Sequence, residues 1–245
     1  MSRKRVALLG ASGFVGSAIA SALARHGEYE LTRIVRGDDF RALIEGADIV
    51  IHCANPAKRF WAEKNPQADF EESVEKTHAV VRAAGSRKLV LISSISARSQ
   101  LDTVYGRHRR ACEMLAEGAG RLIVRLGPMY SRSKREGALA DIVANRPVFV
   151  GGETRYSFVP VEYNGEKIVE LLDRSGLIEL GARNAVVLQD LRDRLGSTSQ
   201  FQGRDDTQMP NEPQADAPDA NDVIEFARGW MTSAPTATTS IGERG

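Results

Sequence analysis

The sequence has little that would tie the chain to a metal, a disulfide framework or a membrane. It contains only two cysteines, Cys53 and Cys112, which are far apart and form no CxxC motif, and its four histidines show no metal-ligand spacing. So few cysteines fit a reducing cytoplasm, where disulfides are rare. No apolar run approaches the roughly 20 residues of a membrane helix, and the apolar stretch after the basic N-terminus is too short for a secretory signal. We therefore expect a cytoplasmic protein that binds no metal.

An excess of charge of either sign is also absent. The 33 basic and 32 acidic side chains leave a formal net charge of +1. Such a balance gives no general attraction to nucleic acid or to an anionic membrane surface, so any anion must be bound by a local group of residues. We expect a small-molecule ligand, and neither a nucleic-acid nor a membrane partner.

In the first half of the chain, short apolar runs alternate with helical patterns. The predicted strands are Val6–Leu9, Leu31–Val35, Asp48–His52, Lys88–Ile92 and Arg121–Leu126, and the predicted helices cover residues 14–26, 40–45, 67–84 and 104–118. Strands that are apolar along their whole length are typical of a sheet with helices on both faces. The pattern predicts an α/β fold with a doubly wound, parallel Rossmann-type sheet. Because only about a dozen residues separate the second run from the third, we expect one element of the usual sheet to be missing or vestigial.

A glycine-rich turn, Gly10-Ala-Ser-Gly13-Phe-Val-Gly16, lies directly between the first predicted strand and the first predicted helix. Gly10 allows a tight turn, Gly13 lets the backbone approach a diphosphate, and Gly16 lets helix and strand pack closely. The amides that open the helix then face the two phosphates, and the Ser12 hydroxyl can add a donor. The alternative is a glycine turn without a ligand. The strand–turn–helix context favours a binding site for NAD or NADP.

The choice between the two dinucleotides depends on the end of the second strand. An acid there would accept from the ribose 2′-hydroxyl, whereas an arginine would suit a 2′-phosphate. Arg36 falls at this place, which favours NADP. Asp38 and Asp39 are close enough to reverse the preference to NAD if the strand ends later, and a solvated loop charge is an equally ordinary role for Arg36.

The pattern changes after residue 130. We expect residues 1–130 to form the NAD(P)-binding core, residues 131–231 a small C-terminal substrate lobe interleaved with it, and residues 232–245 a disordered tail. Predicted helices lie near 137–145, 164–173, 189–195 and 221–230, and predicted strands near 156–160 and 185–188. Residues 196–220 have few apolar anchors and read as a loop.

Three residues indicate acid–base chemistry. Ser94 follows the fourth predicted strand, at the sheet edge where ligands bind in such folds. Tyr105 and Arg109 are four residues apart on a predicted helix that Asp102 or Thr103 can cap, so they share one face. A nearby cation favours the phenolate form of a tyrosine, which suits proton transfer at a carbonyl, while a serine hydroxyl can bond the reacting oxygen. Taken alone, a tyrosine and an arginine at this spacing are more often an exposed helix pair.

With these motifs the chain resembles the extended short-chain dehydrogenase/reductases, in particular their nucleotide-sugar epimerase/dehydratase/reductase group. The similarity extends over residues 5–200 and is strongest before residue 130. The matching segments are Gly10-Ala-Ser-Gly-Phe-Val-Gly16, Asp48-Ile-Val-Ile-His-Cys-Ala54, Leu91-Ile-Ser-Ser94, Tyr105-Gly-Arg-His-Arg-Arg-Ala-Cys-Glu113, Arg125-Leu-Gly-Pro-Met-Tyr130 and Tyr156-Ser-Phe-Val-Pro-Val161.

The resemblance implies catalytic roles for Ser94 and Tyr105 and places residue 109 on the nicotinamide ribose. Together with the glycine turn it gives these expected cofactor contacts: Gly10, Ser12, Gly13, Phe14, Val15, Gly16, Arg36, Ala54, Asn55, Pro56, Ser93, Tyr105, Arg109, Gly127, Pro128 and Met129. On the substrate side, Ser94 would hold the reacting oxygen and Arg155 would bind a nucleotide diphosphate through its fork. Arg132, Lys134 and Arg135 can assist, although a solvated loop is the commoner role of such a charged segment.

Two departures from the family pattern affect the expected chemistry. The family's YxxxK motif has arginine at position 109, which keeps the positive charge but cannot release a proton at working pH. The acidic pair that dehydratase members carry after the strand-end serine or threonine is replaced by Ile95 and Ser96, so dehydration lacks its acid and base. Ketoreduction and epimerisation remain.

These observations leave three hypotheses. The leading one is an NAD(P)-dependent oxidoreductase, a 4-ketoreductase or epimerase, that acts on a nucleotide-linked sugar. The second, motivated by Arg109, is a catalytically impaired dinucleotide-binding sensor or partner protein. The third is a small-molecule reductase outside sugar metabolism. His108 and Cys112 are expected to be packing or surface residues, and a homodimer stays open, because family members often pair through a two-helix face.

Overall fold

Six parallel strands form the central sheet of the computed structural model, which describes residues 3–233. They are β1 (Lys4–Leu9), β2 (Tyr29–Ile34), β3 (Ile49–His52), β4 (Lys88–Ser94), β5 (Leu122–Leu126) and β9 (Gly176–Leu180), in the spatial order β2-β1-β3-β4-β5-β9. Five two-residue strands flank the sheet: β6 (Met129–Tyr130), β7 (Arg155–Tyr156), β8 (Val159–Pro160), β10 (Val186–Val187) and β11 (Thr207–Gln208). The predicted doubly wound, parallel α/β sheet is confirmed.

The helices follow the strands in the expected alternation. They are α1 (Phe14–His26), α2 (Phe40–Glu45), α3 (Arg59–Lys64), α4 (Pro66–Phe70), α5 (Lys76–Ala84), α6 (Ser96–Ser99), α7 (Val104–Ala116), α8 (Ala138–Val143), α9 (Val161–Glu170), α10 (Leu188–Leu195) and α11 (Asp222–Ser233). A π-helical turn, Glu71–Glu75, joins α4 to α5 without a break. Of the described helices, none is both long and apolar enough to cross a membrane.

Strand composition follows position in the sheet. Every residue of the central strands β3 and β5 is buried, because helices cover both faces there. The edge strand β2 reads Tyr-Glu-Leu-Thr-Arg-Ile and leaves its Glu30 and Arg33 side chains exposed. Charged side chains on an edge strand discourage pairing with another chain.

One strand of the usual arrangement is absent from residues 3–233, as predicted. In the dinucleotide fold with order 3-2-1-4-5-6, the third strand lies outside the second. Here β3 pairs with β1 instead, and β2 has no named strand on its outer side. Only the six-residue helix α2 fills the connection between β2 and β3, which is too short for a further strand and helix.

Apolar side chains cover the sheet on both faces. On one face, Ile19 and Leu23 of α1 pack with Ile168 of α9 against the sheet. Gly165 allows the two helices to approach closely, because a Cβ on it would lie 2.8 Å from the carbonyl group of Ala18. The opposite face is covered by α2, α5 and α7.

Chain beyond residue 130 contributes both to this sheet and to a second apolar cluster. The strand β9 extends the sheet beside β5, while α8, α10 and α11 surround a cluster that contains Ile142, Leu188, Val223 and Trp230. The division of the chain at residue 130 stays a prediction.

Several elements differ from their predicted bounds. The strand β9 and the helices α3 and α6 were not predicted. β9 begins at Gly176, with φ +92°, and contains the charged Glu179, so it lacks an apolar run. Helix α9 begins at Val161, earlier than expected, and the predicted loop 196–220 contains β11. Thr232 and Ser233 belong to α11, so the predicted tail is wrong for them; the remainder of that tail lies outside the described residues.

Candidate active site

The turn between β1 and α1 has the backbone that an anion site requires. Gly10 has φ +82°, and a Cβ on it would lie 2.8 Å from the carbonyl oxygen of Cys53. A Cβ on Gly16 would lie 2.0 Å from the carbonyl oxygen of Gly10. Only glycine fits at either position. Gly13 caps α1 without a side-chain hydrogen bond, and the first turn of α1 contains no acid. The Gly16 amide faces the Cys53 thiol, so the Phe14 and Val15 amides are left for a ligand.

Loop residues after β3 border this turn. Ala54, Asn55 and Pro56 are all half-buried, and Ala54 Cα lies 2.9 Å from the position of a Cβ on Gly10. Both polar atoms of the Asn55 amide are buried and have no hydrogen-bond partner. Buried polar groups are nearly always paired in native proteins. An unpaired amide beside an uncapped helix therefore fits a polar ligand such as the diphosphate and ribose of a dinucleotide.

The end of β3 below the turn carries no charge near neutral pH. Burial lowers the pKa of His52 to about 3, and its Nε2 lies 3.0 Å from Thr77 Oγ1. Burial raises the pKa of the Cys53 thiol to about 12. Neither side chain supplies a counter-charge, so an anion at the turn depends on the helix amides and on cations that reach it from elsewhere.

The charged residues near the expected adenosine ribose already have partners within the protein. Arg36 is exposed and pairs with Glu72 at 3.0 Å. The Asp38 carboxylate accepts from the Val35 amide at 2.8 Å, and Asp39 caps α2 by accepting from the Arg41 amide at 3.1 Å. Both acids are thus occupied with their own backbone, whereas the arginine is held only by an exposed ion pair, which contributes little.

A cavity of about 580 Å³ opens at the carboxyl ends of β4 and β5. Ser94 and Tyr105 both line it, so the structure brings the two predicted catalytic residues to one cavity. Ser94 Oγ accepts from the Ser96 amide at 3.2 Å. The predicted cofactor residues that also line the cavity are Gly127, Pro128 and Met129.

The start of α7 is fixed by a cap and by close packing. Thr103, and not Asp102, caps the helix: its Oγ1 accepts from the Gly106 amide at 2.9 Å. A Cβ on Gly106 would lie 1.9 Å from the carbonyl oxygen of Gln100, so the helix rests directly on the segment after α6. This contact fixes the neighbouring Tyr105 in the cavity wall.

Arg109 approaches Tyr105 differently from the expectation. Its guanidinium carbon lies 5.2 Å from the centre of the Tyr105 ring, a cation–π contact with the face rather than a bond to the hydroxyl. The guanidinium donates to Ser73 in the π-helical turn, and its buried Nε has no partner. Arg109 is 3% exposed and does not border the cavity. The i, i+4 spacing brought the two side chains together but could not fix which atoms meet.

Ser93 faces away from the cavity. Successive strand residues point to opposite faces, so when Ser94 lines the cavity, Ser93 turns to the helix layer. Its hydroxyl donates to Glu113 at 2.7 Å. The expectation that the Ser93 side chain contacts the cofactor is therefore not matched, and only its backbone is left for that role.

The predicted substrate residue Arg155 is exposed and lies outside the cavity, contrary to expectation. Its neighbour Tyr156 points inward, and the cavity instead receives Arg59 from the start of α3. Arg59 donates to Tyr156 at 3.1 Å and to Asp206 at 3.0 Å. Burial raises the pKa of Tyr156, so it stays neutral. Sequence reasoning missed Arg59 because no local motif marks it and its partners are far along the chain.

The cationic residues of the loop between β6 and α8 differ in their exposure. Arg132 and Arg135 are exposed, as expected of a solvated segment. Lys134 is half-buried and lines the cavity, with Nζ 5.1 Å from the centre of the Phe14 ring. Cys112 is buried, and His108 Nδ1 lies 2.7 Å from the buried Asp69, away from the cavity lining.

The fold and the glycine turn together define an α/β protein of the Rossmann type, with Ser94 and Tyr105 in the lining of one cavity. The sequence model of the NAD dependent epimerase/dehydratase family matches residues 6–140, more than half of the chain. The chain belongs to this family. A search of curated protein sequences found no match.

Solved structures with the same fold are distant in sequence. An NAD-dependent NDP-hexosamine 5,6-dehydratase involved in tunicamycin biosynthesis is 17% identical, with a TM-score of 0.75 over 94% of this chain and 98% of that one. The UDP-glucuronic acid 4-epimerase from Bacillus cereus is 19% identical, with a TM-score of 0.69 over 96% and 95%. The dTDP-4-dehydrorhamnose reductase from Bacillus anthracis, in complex with NADP, is 16% identical, with a TM-score of 0.74 over 95% and 99%.

Proposed function

We propose that this chain is an NAD(P)-dependent oxidoreductase, of the 4-ketoreductase or epimerase kind, that acts on a nucleotide-linked sugar. The observation that carries the proposal is that Ser94 and Tyr105 line the same cavity, together with Gly127, Pro128 and Met129. The glycine turn Gly10–Gly16 would hold the dinucleotide, whose nicotinamide would supply the hydride chemistry. Tyr105 gives or takes the proton of the sugar oxygen, and Ser94 holds that oxygen by a hydrogen bond.

The surroundings of the strand end support reduction or epimerisation over dehydration. Ile95 and Ser96 are buried, and the Ser96 hydroxyl accepts from Gln208 at 3.1 Å. Neither side chain can act as the acid or base that dehydration of the sugar requires. Arg59, prearranged by Asp206 and Tyr156, is suited to an anionic group of the substrate. The structural relatives named above act on UDP-, dTDP- or NDP-linked sugars, which motivates the substrate class.

The test is turnover of NADPH and NADH with nucleotide-linked keto-sugars and with small ketones that carry no nucleotide. In the Tyr105→Phe variant, loss of the proton donor is expected to lower kcat by about 100-fold or more, because general acid catalysis contributes on that order. Tyr29→Phe, at the amino end of β2, is the matched control and should leave kcat unchanged. Equal rates in wild type and Tyr105→Phe would remove Tyr105 from the mechanism, and turnover of small ketones alone would favour a reductase outside sugar metabolism.

A second candidate function is a dinucleotide-binding protein without turnover. The burial of Arg109 against Ser73 favours it, because an arginine there cannot take part in proton transfer. Arg109→Lys distinguishes the two candidates. Under the enzyme proposal, wild type turns over and the variant changes the rate only modestly. Turnover in the variant, with none in wild type, would establish the silent function instead.

A further inference from the structure

Lys134 lies where the glycine turn meets the cavity. Its Nζ is 5.1 Å from the centre of the Phe14 ring and 3.3 Å from the carbonyl oxygen of Met129. Phe14 is the first residue of α1 and directly follows Gly13, while Met129 borders the cavity. The lysine therefore reaches the opening of α1 from a loop that is more than 100 residues away in sequence.

The ammonium of Lys134 has no anionic partner in residues 3–233. Its hydrogen bond is to the Met129 carbonyl, and no carboxylate of the described chain lies within the 4.0 Å of an ion pair. Burial, followed by the charge of Arg59, lowers the pKa of Lys134, and Glu136 opposes this only in part. A half-buried cation with no counter-charge costs stability, and an anionic ligand at this place would offset that cost.

We propose that Lys134 binds the diphosphate of the nicotinamide dinucleotide, together with the backbone amides that open α1. This inference rests on the proposed function, since it requires a dinucleotide at the turn. The Phe14 ring keeps the ammonium beside the first turn of the helix, where free amides and the helix dipole already attract anions. A lysine suits this role because its compact charge sits on a flexible stem with three donors.

The competing ligand is an anionic group of the substrate, because Lys134 also lines the cavity. Arg59 already has the geometry for such a group, with both of its terminal nitrogens held by Asp206 and Tyr156. Lys134 has no comparable support from the substrate side, and its ring contact is with the cofactor turn. The arrangement gives one cation to each ligand: Arg59 to the substrate and Lys134 to the dinucleotide.

The experiment is calorimetric titration with ADP-ribose, which carries the dinucleotide's diphosphate, and with UDP, which represents the substrate side. Lys134→Met is expected to weaken ADP-ribose binding about 10- to 100-fold, the value of one charge-assisted hydrogen bond. UDP binding should stay within about twofold, and binding of ADP-ribose to wild type should fall more steeply with salt than in the variant. Lys134→Arg keeps the charge and should retain most of the affinity. Lys64→Met, at an exposed lysine of α3 outside the cavity, controls for the lost charge and should change neither affinity.

Thermal unfolding of each variant shows that any loss of binding does not arise from misfolding. Unchanged ADP-ribose affinity in a folded Lys134→Met protein would overturn the inference, and so would a loss confined to UDP. These outcomes are distinct from failure of the proposed function, in which wild type itself would bind neither ADP-ribose nor any nicotinamide dinucleotide.

Discussion

At the scale of single residues, the expected preference for NADP over NAD rests on Arg36. It lies two residues beyond β2, where this fold holds the adenosine ribose. The nearby acids are occupied, since Asp38 accepts from Val35 and Asp39 caps α2. Arg36 has only its exposed ion pair with Glu72 to give up. A 2′-phosphate can therefore recruit the guanidinium at small cost.

Substitution of Arg36 should separate the two dinucleotides. Arg36→Leu is expected to weaken NADP binding about 10- to 100-fold and to leave NAD binding nearly unchanged, because only NADP carries the phosphate that the arginine would bind. Titration of both dinucleotides measures the difference, with Arg33→Leu on β2 as control. Equal losses for NAD and NADP, or no loss, would contradict the preference for NADP.

The cationic side chains at positions 109 and 134 also have to be considered one residue at a time. The motif position holds an arginine that is packed against Ser73 and the Tyr105 ring, while a lysine from a distant loop stands at the cofactor turn. Under the two proposals, the proton donor and the charge that binds the diphosphate are therefore separate residues, Tyr105 and Lys134. A variant at position 109 reports on the chemistry at Tyr105, whereas a variant at position 134 reports on binding of the diphosphate.

At the scale of helices and strands, the sequence predicts the bounds of an element correctly where neighbouring residues alone fix them. Helices α1 and α2 have the predicted bounds, because glycine and aspartate fix their starts within a few residues. The predicted helix 67–84 contains the π-helical turn Glu71–Glu75, which no pattern in the sequence predicts. That turn lies opposite α7, where Ser73 accepts a hydrogen bond from Arg109. A contact between elements, and not the local sequence, therefore explains the π-helical turn.

The residues of the candidate site likewise fall into those that the local sequence predicts and those that it does not. The glycine turn, Ser94 and Tyr105 were found from the sequence, because each sits at a strand end or helix start that the local pattern predicts. Arg59 and the half-buried state of Lys134 were not, since their positions depend on contacts with Asp206 and Phe14 far along the chain. Arg155 was chosen over its neighbour Tyr156, and in a strand a shift of one residue reverses the face.

At the scale of the whole molecule, a buried chain of charges ties the C-terminal strand to the sheet. Arg125 of β5 donates to Glu113 of α7 at 2.7 and 2.8 Å and to Glu179 of β9 at 3.2 Å. Glu179 also accepts from Arg98 of α6 at 2.9 Å and from the Asn211 amide at 2.9 Å. These bonds join segments from residue 98 to residue 211, and the Ser93 hydroxyl joins the network by donating to Glu113.

This network should make stability depend on acid in a defined direction. Burial acts to raise the pKa of Glu179, but hydrogen bonds from Arg98, Asn211 and Arg125 outweigh it and hold the pKa below its usual value. The unfolded chain has the ordinary value of about 4.3. The ionised carboxylate therefore stabilises the fold above about pH 4.3, and this contribution is lost as the pH falls through the lower, folded-state pKa.

Glu179→Gln is expected to lower the free energy of unfolding by about 2–4 kcal/mol at pH 7, because it leaves the buried Arg125 and the half-buried Arg98 short of their partner. Urea unfolding from pH 7 down to pH 3 should show the gap between wild type and variant closing at the acid end, since protonation removes the same charge from wild type. Glu212→Gln, at an exposed position next to Asn211, should stay within about 0.5 kcal/mol of wild type at every pH. A gap that stays constant with pH would mean that Glu179 acts through packing and not through its charge, and the C-terminal strand would then be held to the sheet by apolar contacts alone.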